Sequence, residues 1–189
     1  MEKLTKEQEI IKLLFKDLLI PYNSRSISKI IGISHAGAFK ILKKLEKRNI
    51  VKPSRIGKAV IYSLNKENPV TWREIELALT LEAQNYKKWI EEFKSIRDKV
   101  KFVILFGSIV QDEKSARDID LLAVADKSKF NELRKLIGER ERFSTKKVHL
   151  LLQTPPDFKY DLGTKNKTMI EIIKRGIILF GQEEVGKMI

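Results

Sequence analysis

The chain has 189 residues, enough for one large or two small domains, and 42% of them are hydrophobic, which is sufficient for buried cores. It contains no cysteine and two histidines, a composition that argues against a zinc site. The high charged fraction, 33%, and the absence of cysteine are typical of a cytoplasmic protein and compatible with a thermophilic one. We expect no signal peptide and no membrane partner, because no apolar run is long enough to span a bilayer.

The net charge of +13 is unevenly distributed. Residues 1–67 contain 15 Lys and Arg against 6 Asp and Glu, an excess of about +9. Residues 68–100 contain six of each, and residues 101–189 contain 17 against 13. Solvated surfaces usually balance their signs, so the concentrated excess predicts a polyanionic partner for the first third.

The first third has the periodicity of three short helices. A capping box, Thr5-x-x-Gln8, opens the first helix. Residues 26–31 form a second helix that ends at Gly32. Ser34 then caps a third helix over residues 35–48, which carries most of the lysines.

A β-hairpin is predicted directly after these helices. Strands at residues 50–52 and 59–64 flank a basic turn at residues 53–58. Two helices joined by a tight turn and followed by such a hairpin form a helix-turn-helix pattern with a wing. Residues 4–65 resemble winged helix-turn-helix domains of archaeal and bacterial transcription regulators. The sequence segments on which the resemblance rests are Ile33-Ser34, Leu45-Glu46-Lys47-Arg48-Asn49-Ile50-Val51, Gly57-Lys58 and Tyr62.

This resemblance implies double-stranded DNA as the partner, with the third helix in the major groove and the wing on the backbone. The start of the third helix is poor in Arg, Asn and Gln, so we expect strong phosphate contact and modest sequence specificity. The candidate DNA-binding residues are Ser34, His35, Lys40, Lys43, Lys44, Arg55 and Lys58.

A long helix is predicted to connect the two halves of the chain. A second capping box, Thr71-x-x-Glu74, would open it, and it would run to about Lys99. Apolar residues recur in it every seven positions, as in a heptad seam. Two interpretations stay open: a dimerisation helix that gives a homodimer, or an amphipathic helix that packs on both domains. The seam consists of Trp72, Leu79, Tyr86, Phe93 and Val100.

The second half contains the pattern with the most chemical content. A strand at residues 101–106 leads into Gly107-Ser108, and a strand at residues 118–125 carries two aspartates, Asp118 and Asp120, at its start. Residues two apart on a strand point to the same face, so both carboxylates can share a divalent cation. Glycine lets the backbone approach a ligand, and Ser108 can open a helix that cradles a phosphate.

Gly107-Ser108 followed by Asp118-x-Asp120-Leu121 resembles the signature of minimal nucleotidyltransferase domains of the DNA polymerase beta superfamily. The ending, residues 172–181, resembles that family's closing helix-turn-strand. The resemblance implies an α/β domain with a small mixed sheet, Mg²⁺ and an NTP as cofactors, catalytic and metal-binding roles for Asp118 and Asp120, and nucleotide binding at Gly107 and Ser108.

The third carboxylate of active family members is missing. On the third strand, residues 147–152, its position is occupied by His149, and imidazole is a poor ligand for Mg²⁺. Asp157 and Asp161 lie beyond that strand. We therefore expect nucleotide and metal binding to survive with impaired catalysis.

The predicted architecture is a two-domain α+β/α/β chain. It has a winged helix-turn-helix at 1–67, a long connecting helix at 68–100 and a nucleotidyltransferase-like domain at 101–189. The favoured interpretation is a DNA-binding transcriptional regulator. The alternatives are an active Mg²⁺-dependent nucleotidyltransferase that moves a nucleoside monophosphate from NTP to a protein or nucleic acid, and a partner of a small helical toxin.

Overall fold

The computed structural model describes residues 3–189, and the chain divides into two compact units with the boundary between Leu81 and Glu82. In the first unit, three strands form an antiparallel sheet in the order β1-β3-β2. The elements in chain order are α1 Lys6–Lys16, β1 Tyr22–Asn23, α2 Ser24–Ile31, α3 His35–Lys47, β2 Val51–Ile56, β3 Ala59–Leu64 and α4 Pro69–Ala83.

Local sequence signals fix the first three helices. Thr5 and Gln8 form the predicted capping box at the start of α1. Asn23 caps α2, which begins two residues earlier than predicted, and Gly32 ends it in the left-handed conformation at φ 69°. Ser34 caps α3 as predicted. The inward faces of the three helices are buried, with Ile10, Ile11, Phe15, Ile27, Ala38, Leu42 and Leu45 at 1% exposure or less.

The hairpin after α3 is longer than the sequence indicated. Strand β2 extends through Pro53 to Ile56, so only Gly57 and Lys58 form the turn. Gly57 adopts φ 59°, a conformation that suits glycine in a tight hairpin. Of the basic residues predicted for the turn, Arg55 therefore lies on a paired strand and Lys58 remains in the turn.

The prediction of one long connecting helix is wrong. Helix α4 begins at Pro69, so Thr71 lies within its first turn and does not cap it. Thr71 is buried, and its hydroxyl lies 3.5 Å from the Ile50 carbonyl oxygen. The helix ends at Ala83, after which the chain is broken into short pieces. These are a 3₁₀ turn at Gln84–Tyr86, α5 at Lys87–Glu92 and a 3₁₀ turn at Lys94–Lys99.

The broken segment packs into the second unit's own core. Trp89, Phe93 and Ile96 are each at most 3% exposed and contact the apolar face of the C-terminal sheet. Tyr86 and Val100 pack against the same cluster. The seam positions Tyr86, Phe93 and Val100 therefore pack within the second unit, although not as part of one helix that packs on both domains. A homodimer stays a prediction, without this seam as its interface.

The second unit contains a four-stranded sheet in the order β6-β5-β4-β7. Strands β5 and β6 are parallel and the other pairs are antiparallel, which confirms the small mixed sheet. The strands are β4 Phe102–Phe106, β5 Asp118–Val124, β6 Lys147–Gln153 and β7 Ile177–Phe180. The helices are α6 Ser108–Gln111, α7 Phe130–Glu141, α8 Pro155–Gly163, α9 Lys167–Arg175 and α10 Gln182–Val185.

Both faces of this sheet are covered. On one face, Leu105 and Leu121 pack in a cluster with Leu133 of α7. On the other, the Phe102 ring meets Phe158 of α8 edge-on, with ring centroids 5.0 Å apart. Helix α8 was not predicted. It begins with a capping box in which Thr154 is the N-cap and Asp157 the third helical residue.

No helix among residues 3–189 combines the length and apolar character needed to cross a membrane.

A buried hydrogen bond in the first unit sets a pH limit on stability. The Tyr22 hydroxyl donates to Asp17 Oδ2 at 2.5 Å, and burial together with this carboxylate raises the pKa of Tyr22 to about 12. We expect Tyr22→Phe to lower the free energy of unfolding by about 2 kcal/mol at neutral pH, because the bond has a charged acceptor. Because the folded-state pKa is raised, this contribution is fully present below about pH 10 and is lost as the pH rises towards 12.

Urea denaturation of Tyr22→Phe and wild type across this pH range measures the effect. Tyr62→Phe is the matched control, since Tyr62 is the cross-strand partner of Tyr22 and is equally buried. Equal stability of Tyr22→Phe and wild type at neutral pH would contradict the assignment.

Candidate functional site

Strand β5 brings the two predicted aspartates to one end of the C-terminal sheet. Asp118 and Asp120 are its first and third residues and are both partly buried. Asp120 pairs with Phe106 on β4, the residue directly before Gly107. The Gly107-Ser108 turn and the aspartate pair are therefore adjacent, as the sequence motif required.

Gly107 makes room for the Asp120 carboxylate. Its φ is 78°, and a Cβ at this position would collide with Asp120 Oδ2. Asp120 is left with a side-chain exposure of 27%, enough to reach a ligand from solvent. Ser108 is exposed at the first position of α6, which has four residues. The close approach explains why glycine is needed here.

The neighbouring strand places a histidine next to Asp120. In the parallel β5–β6 register, Asp120 is paired with His149 and Asp118 with Lys147. His149 Nδ1 lies 3.3 Å from Asp120 Oδ1. His149 is therefore the residue of β6 that stands beside Asp120.

The two other carboxylates considered from the sequence are engaged elsewhere. Asp157 accepts hydrogen bonds from Thr154 at the start of α8, and these bonds lower its pKa. Asp161 accepts from Gln153 Nε2 at 2.6 Å and from Asn166. Neither substitutes for a carboxylate beside Asp120.

The donor atoms of this site suit a divalent cation that completes its shell from other sources. Within residues 3–189, no three His, Asp or Glu side chains form a ready ligand group. Asp118 and Asp120 offer carboxylate oxygens, which Mg²⁺ prefers, and Mg²⁺ is commonly bound by one or two carboxylates together with phosphate oxygens and water. The absence of a Cβ at Gly107 lets the Asp120 carboxylate pack directly against the backbone there.

A cleft of about 810 Å³ opens beside Gly107. It lies between the end of β4, α6 and α9, and its volume is in the range of small-molecule sites. Lys167 and Arg175 of α9 contribute positive charge, and Arg175 Nε is held by Glu171 Oε2 at 2.7 Å. The sequence carries no local signal for the α9 residues, because only the fold brings them next to Gly107.

A family model described as "Polymerase beta, Nucleotidyltransferase" matches residues 87–185. The match covers more than half of the chain. The chain belongs to this nucleotidyltransferase family. The matched segment begins at Lys87, so α5 and the following 3₁₀ turn are part of the nucleotidyltransferase domain, in agreement with the burial of Trp89 and Phe93 in its core.

The N-terminal unit presents basic side chains on α3 and on the hairpin, but several predicted DNA-binding residues are paired. Lys43 Nζ binds Glu46 Oε2 at 2.8 Å, and this hydrogen bond raises the pKa of Lys43. Lys44 Nζ binds Glu7 Oε2 at 2.6 Å. These two lysines contribute less free charge than the sequence indicated.

Other cations on this surface are available to a ligand. Across residues 3–189, Lys40, Arg55 and Lys58 are exposed and form no ion pair. The same holds for Arg25, Lys29 and Lys47, which the sequence analysis did not select. The position of Lys47 in the i+7 row from Lys40 was a signal that could have identified it.

A second cleft, of about 580 Å³, lies between α2, α3 and β3 in this unit. It contains His35, whose Nε2 lies 2.8 Å from Ser24 Oγ, and the side chain of Phe39, which is 46% exposed. Ser34 is occupied as the N-cap, accepting from the Gly37 amide at 3.0 Å. His35 is thus oriented by α2, and Phe39 adds an apolar contact surface beside it.

No curated protein matches this chain. Among solved structures, wild-type ZitR from Lactococcus lactis is 27% identical over 49% of this chain and 62% of its own, with a TM-score of 0.35. A structure titled as a zinc-responsive MarR family member, again L. lactis ZitR, gives 21% identity over 49% of this chain and 65% of its own, with a TM-score of 0.37.

Wild-type ZitR in complex with DNA is 21% identical over 76% of this chain and 77% of its own, with a TM-score of 0.35. The chain spans slightly less than two thirds of the first two of these structures. None of the three scores reaches 0.5, so the description of the N-terminal unit rests on its own element order.

The close contact between Gly107 and the Asp120 carboxylate can be tested directly. We expect Gly107→Ala to lower the free energy of unfolding by at least about 1–2 kcal/mol, because φ is positive and the new Cβ would displace the Asp120 carboxylate. Gly163→Ala is the control: Gly163 ends α8 and a Cβ there meets nothing within 4 Å. Chemical denaturation of both variants is the measurement. Equal losses of unfolding free energy in the two variants would contradict the close contact between Gly107 and Asp120.

Proposed function

We propose that this protein is a DNA-binding transcriptional regulator whose nucleotidyltransferase domain binds a nucleoside triphosphate and a divalent cation but transfers nucleotide poorly. The observation that carries the proposal is the register of His149 with Asp120, in a domain that otherwise retains the family's Gly107-Ser108 and Asp118-x-Asp120 motifs. In this proposal, residues 1–67 bind DNA and residues 101–189 bind the nucleotide.

DNA binding by the first unit is supported by its shape and charge. Helix α3 follows α2 through a tight glycine turn, and the β2–β3 hairpin protrudes next to it in the order of a winged helix-turn-helix. Lys40 and Lys47 on α3 and Arg55 and Lys58 on the hairpin are unpaired among the described residues and suit phosphate contacts. The residues placed to contact base edges would be His35, Ala36 and Phe39. Ala and Phe side chains can make apolar contacts with thymine methyl groups.

Nucleotide binding by the second unit is supported by the cleft beside Gly107. Lys167 can neutralise phosphate charge, as can Arg175 if it exchanges its ion pair with Glu171 for a phosphate, and the cleft has room for a nucleoside. Asp118 and Asp120 would hold Mg²⁺ against the phosphates. A bound divalent cation supplies charge neutralisation for phosphoryl transfer.

In this proposal, catalysis is impaired because the site has one negative charge fewer than phosphoryl transfer requires. Phosphoryl transfer depends on positioning and on electrostatic stabilisation of the charge that develops. Here the place beside Asp120 holds imidazole, and the place beside Asp118 holds Lys147. The site therefore lacks the third negative charge that would hold a second Mg²⁺ and activate the attacking hydroxyl.

The alternative is a working Mg²⁺-dependent nucleotidyltransferase that delivers a nucleoside monophosphate to a protein or nucleic acid. One observation favours it: His149 lies in contact with Asp120 and is exposed, so it can reach a substrate hydroxyl as a general base. A homodimer, a cytoplasmic location, an archaeal or thermophilic source and a small helical toxin as partner stay predictions from the sequence.

Salt-dependent DNA binding tests the first half of the proposal. We expect Lys40→Ala and Arg55→Ala each to weaken duplex binding and to flatten the dependence of log K on log salt by about one unit per lost phosphate contact. Lys44→Ala is the matched control on the same helix, because Lys44 is already paired with Glu7. Fluorescence anisotropy from about 50 to 200 mM salt gives the slopes. An absence of salt-sensitive binding, or equal effects of Lys44→Ala and Lys40→Ala, would count against this DNA surface.

Calorimetry and a transfer assay test the second half. We expect wild type to bind NTP with Mg²⁺, and Asp118→Ala or Asp120→Ala to abolish this binding. Asp126→Asn, which changes an exposed carboxylate just beyond the other end of β5, should leave this binding unchanged.

The transfer assay tests catalysis. His149→Asp should raise nucleotidyl transfer from labelled NTP, since it restores the missing negative charge. Wild-type turnover on the order of 1 s⁻¹ or faster would put the enzyme alternative first.

A further inference from the structure

Asp120 and His149 bring an oxygen donor and a nitrogen donor into contact at the edge of the candidate site. His149 Nδ1 and Asp120 Oδ1 are 3.3 Å apart, whereas charge-assisted N–H···O bonds are about 2.7–2.9 Å long. Both side chains are reachable from solvent, at 59% exposure for His149 and 27% for Asp120. The two residues occupy paired positions of parallel strands, so the register of the sheet brings their side chains together.

This separation matches two ligands of one metal ion. Metal–imidazole and metal–carboxylate distances are both about 2.0–2.2 Å, so two cis ligands lie about 3 Å apart. An ion at this point would also be next to Gly107, against which the Asp120 carboxylate packs. The remaining coordination positions would be open to phosphate oxygens and water.

The chemistry of the donor pair selects the kind of ion. Mg²⁺ prefers an all-oxygen shell, whereas imidazole suits divalent ions of the first transition series. Lys147, which is paired with Asp118 in the strand register, further reduces the negative charge that would favour a hard cation.

We propose that Asp120 and His149 form a mixed oxygen–nitrogen site that binds a divalent transition-metal ion in preference to Mg²⁺. The inference rests on the proposed cation site at Asp120 and specifies which class of ion that site takes. His149 is then a metal ligand and not merely a replacement for a lost carboxylate.

The test compares Mn²⁺ and Mg²⁺ binding to the full-length protein, with and without ATP. The ratio of Mn²⁺ to Mg²⁺ affinity, measured by calorimetry and competition, should fall at least tenfold in His149→Ala. His149→Asp should bind Mg²⁺ more tightly than wild type. Pulsed electron paramagnetic resonance of bound Mn²⁺ should show coupling to an imidazole nitrogen that is lost in His149→Ala.

The chain provides its own control for the nitrogen signal. It has only one other histidine, His35, so His35→Ala should retain both the signal and the affinity ratio. His149 is exposed, and circular dichroism checks that each variant stays folded.

Two results would overturn the inference in different ways. Mn²⁺ binding that needs Asp120 but shows no nitrogen coupling, and an affinity ratio unchanged in His149→Ala, would reject the mixed site and leave the proposed cation site intact. If neither ion binds with or without ATP, both the mixed site and the proposed cation site fail. Nucleotide binding measured without metal then shows whether the rest of the proposed function survives.

Discussion

Pairing of β5 between β4 and β6 is the constraint on which the candidate site depends. The strand is buried from Leu121 to Val124, so its register cannot slip by one residue without moving apolar side chains to the wrong face. With the register fixed, Asp120 lies opposite Phe106 on one side and His149 on the other. The acidic end of a buried strand thus determines which residues can act together, and it explains the need for glycine at position 107.

In the proposed function, His149 stands in the place of a carboxylate and would change the site in two linked ways. It would remove one negative charge from a place where phosphoryl transfer needs charge balance. It would also put a nitrogen donor next to an oxygen donor, which would change the class of ion that fits best. Binding could then be retained while the chemistry differs, because different residues supply the positioning and the charge.

Local ion pairs reduce the basic surface of the first unit below what its charge excess indicates. Glu7 accepts from both Lys44 and Arg48, and Arg48 also binds Glu74. These pairs are between partly exposed groups, so each contributes little to stability, but each removes a cation from the set that can contact a polyanion. Among residues 3–189, the unpaired cations of this unit include residues of α2, α3 and the hairpin, where the β2–β3 pairing holds Arg55 on a strand.

The sequence by itself determined the features that depend on neighbours along the chain. The capping box at Thr5, the glycine turn at Gly32, strand β6 and the Gly107-Ser108 and Asp118-x-Asp120 motifs all follow from local chemistry. Only the tertiary structure decided how distant segments were used. The heptad pattern around Phe93 was a core face because the sheet needed covering. Lys44 was an ion-pair partner because α1 brings Glu7 to it, and α9 lines the cleft because it packs beside β4. Periodicity records which side chains avoid water, and it does not record which surface covers them.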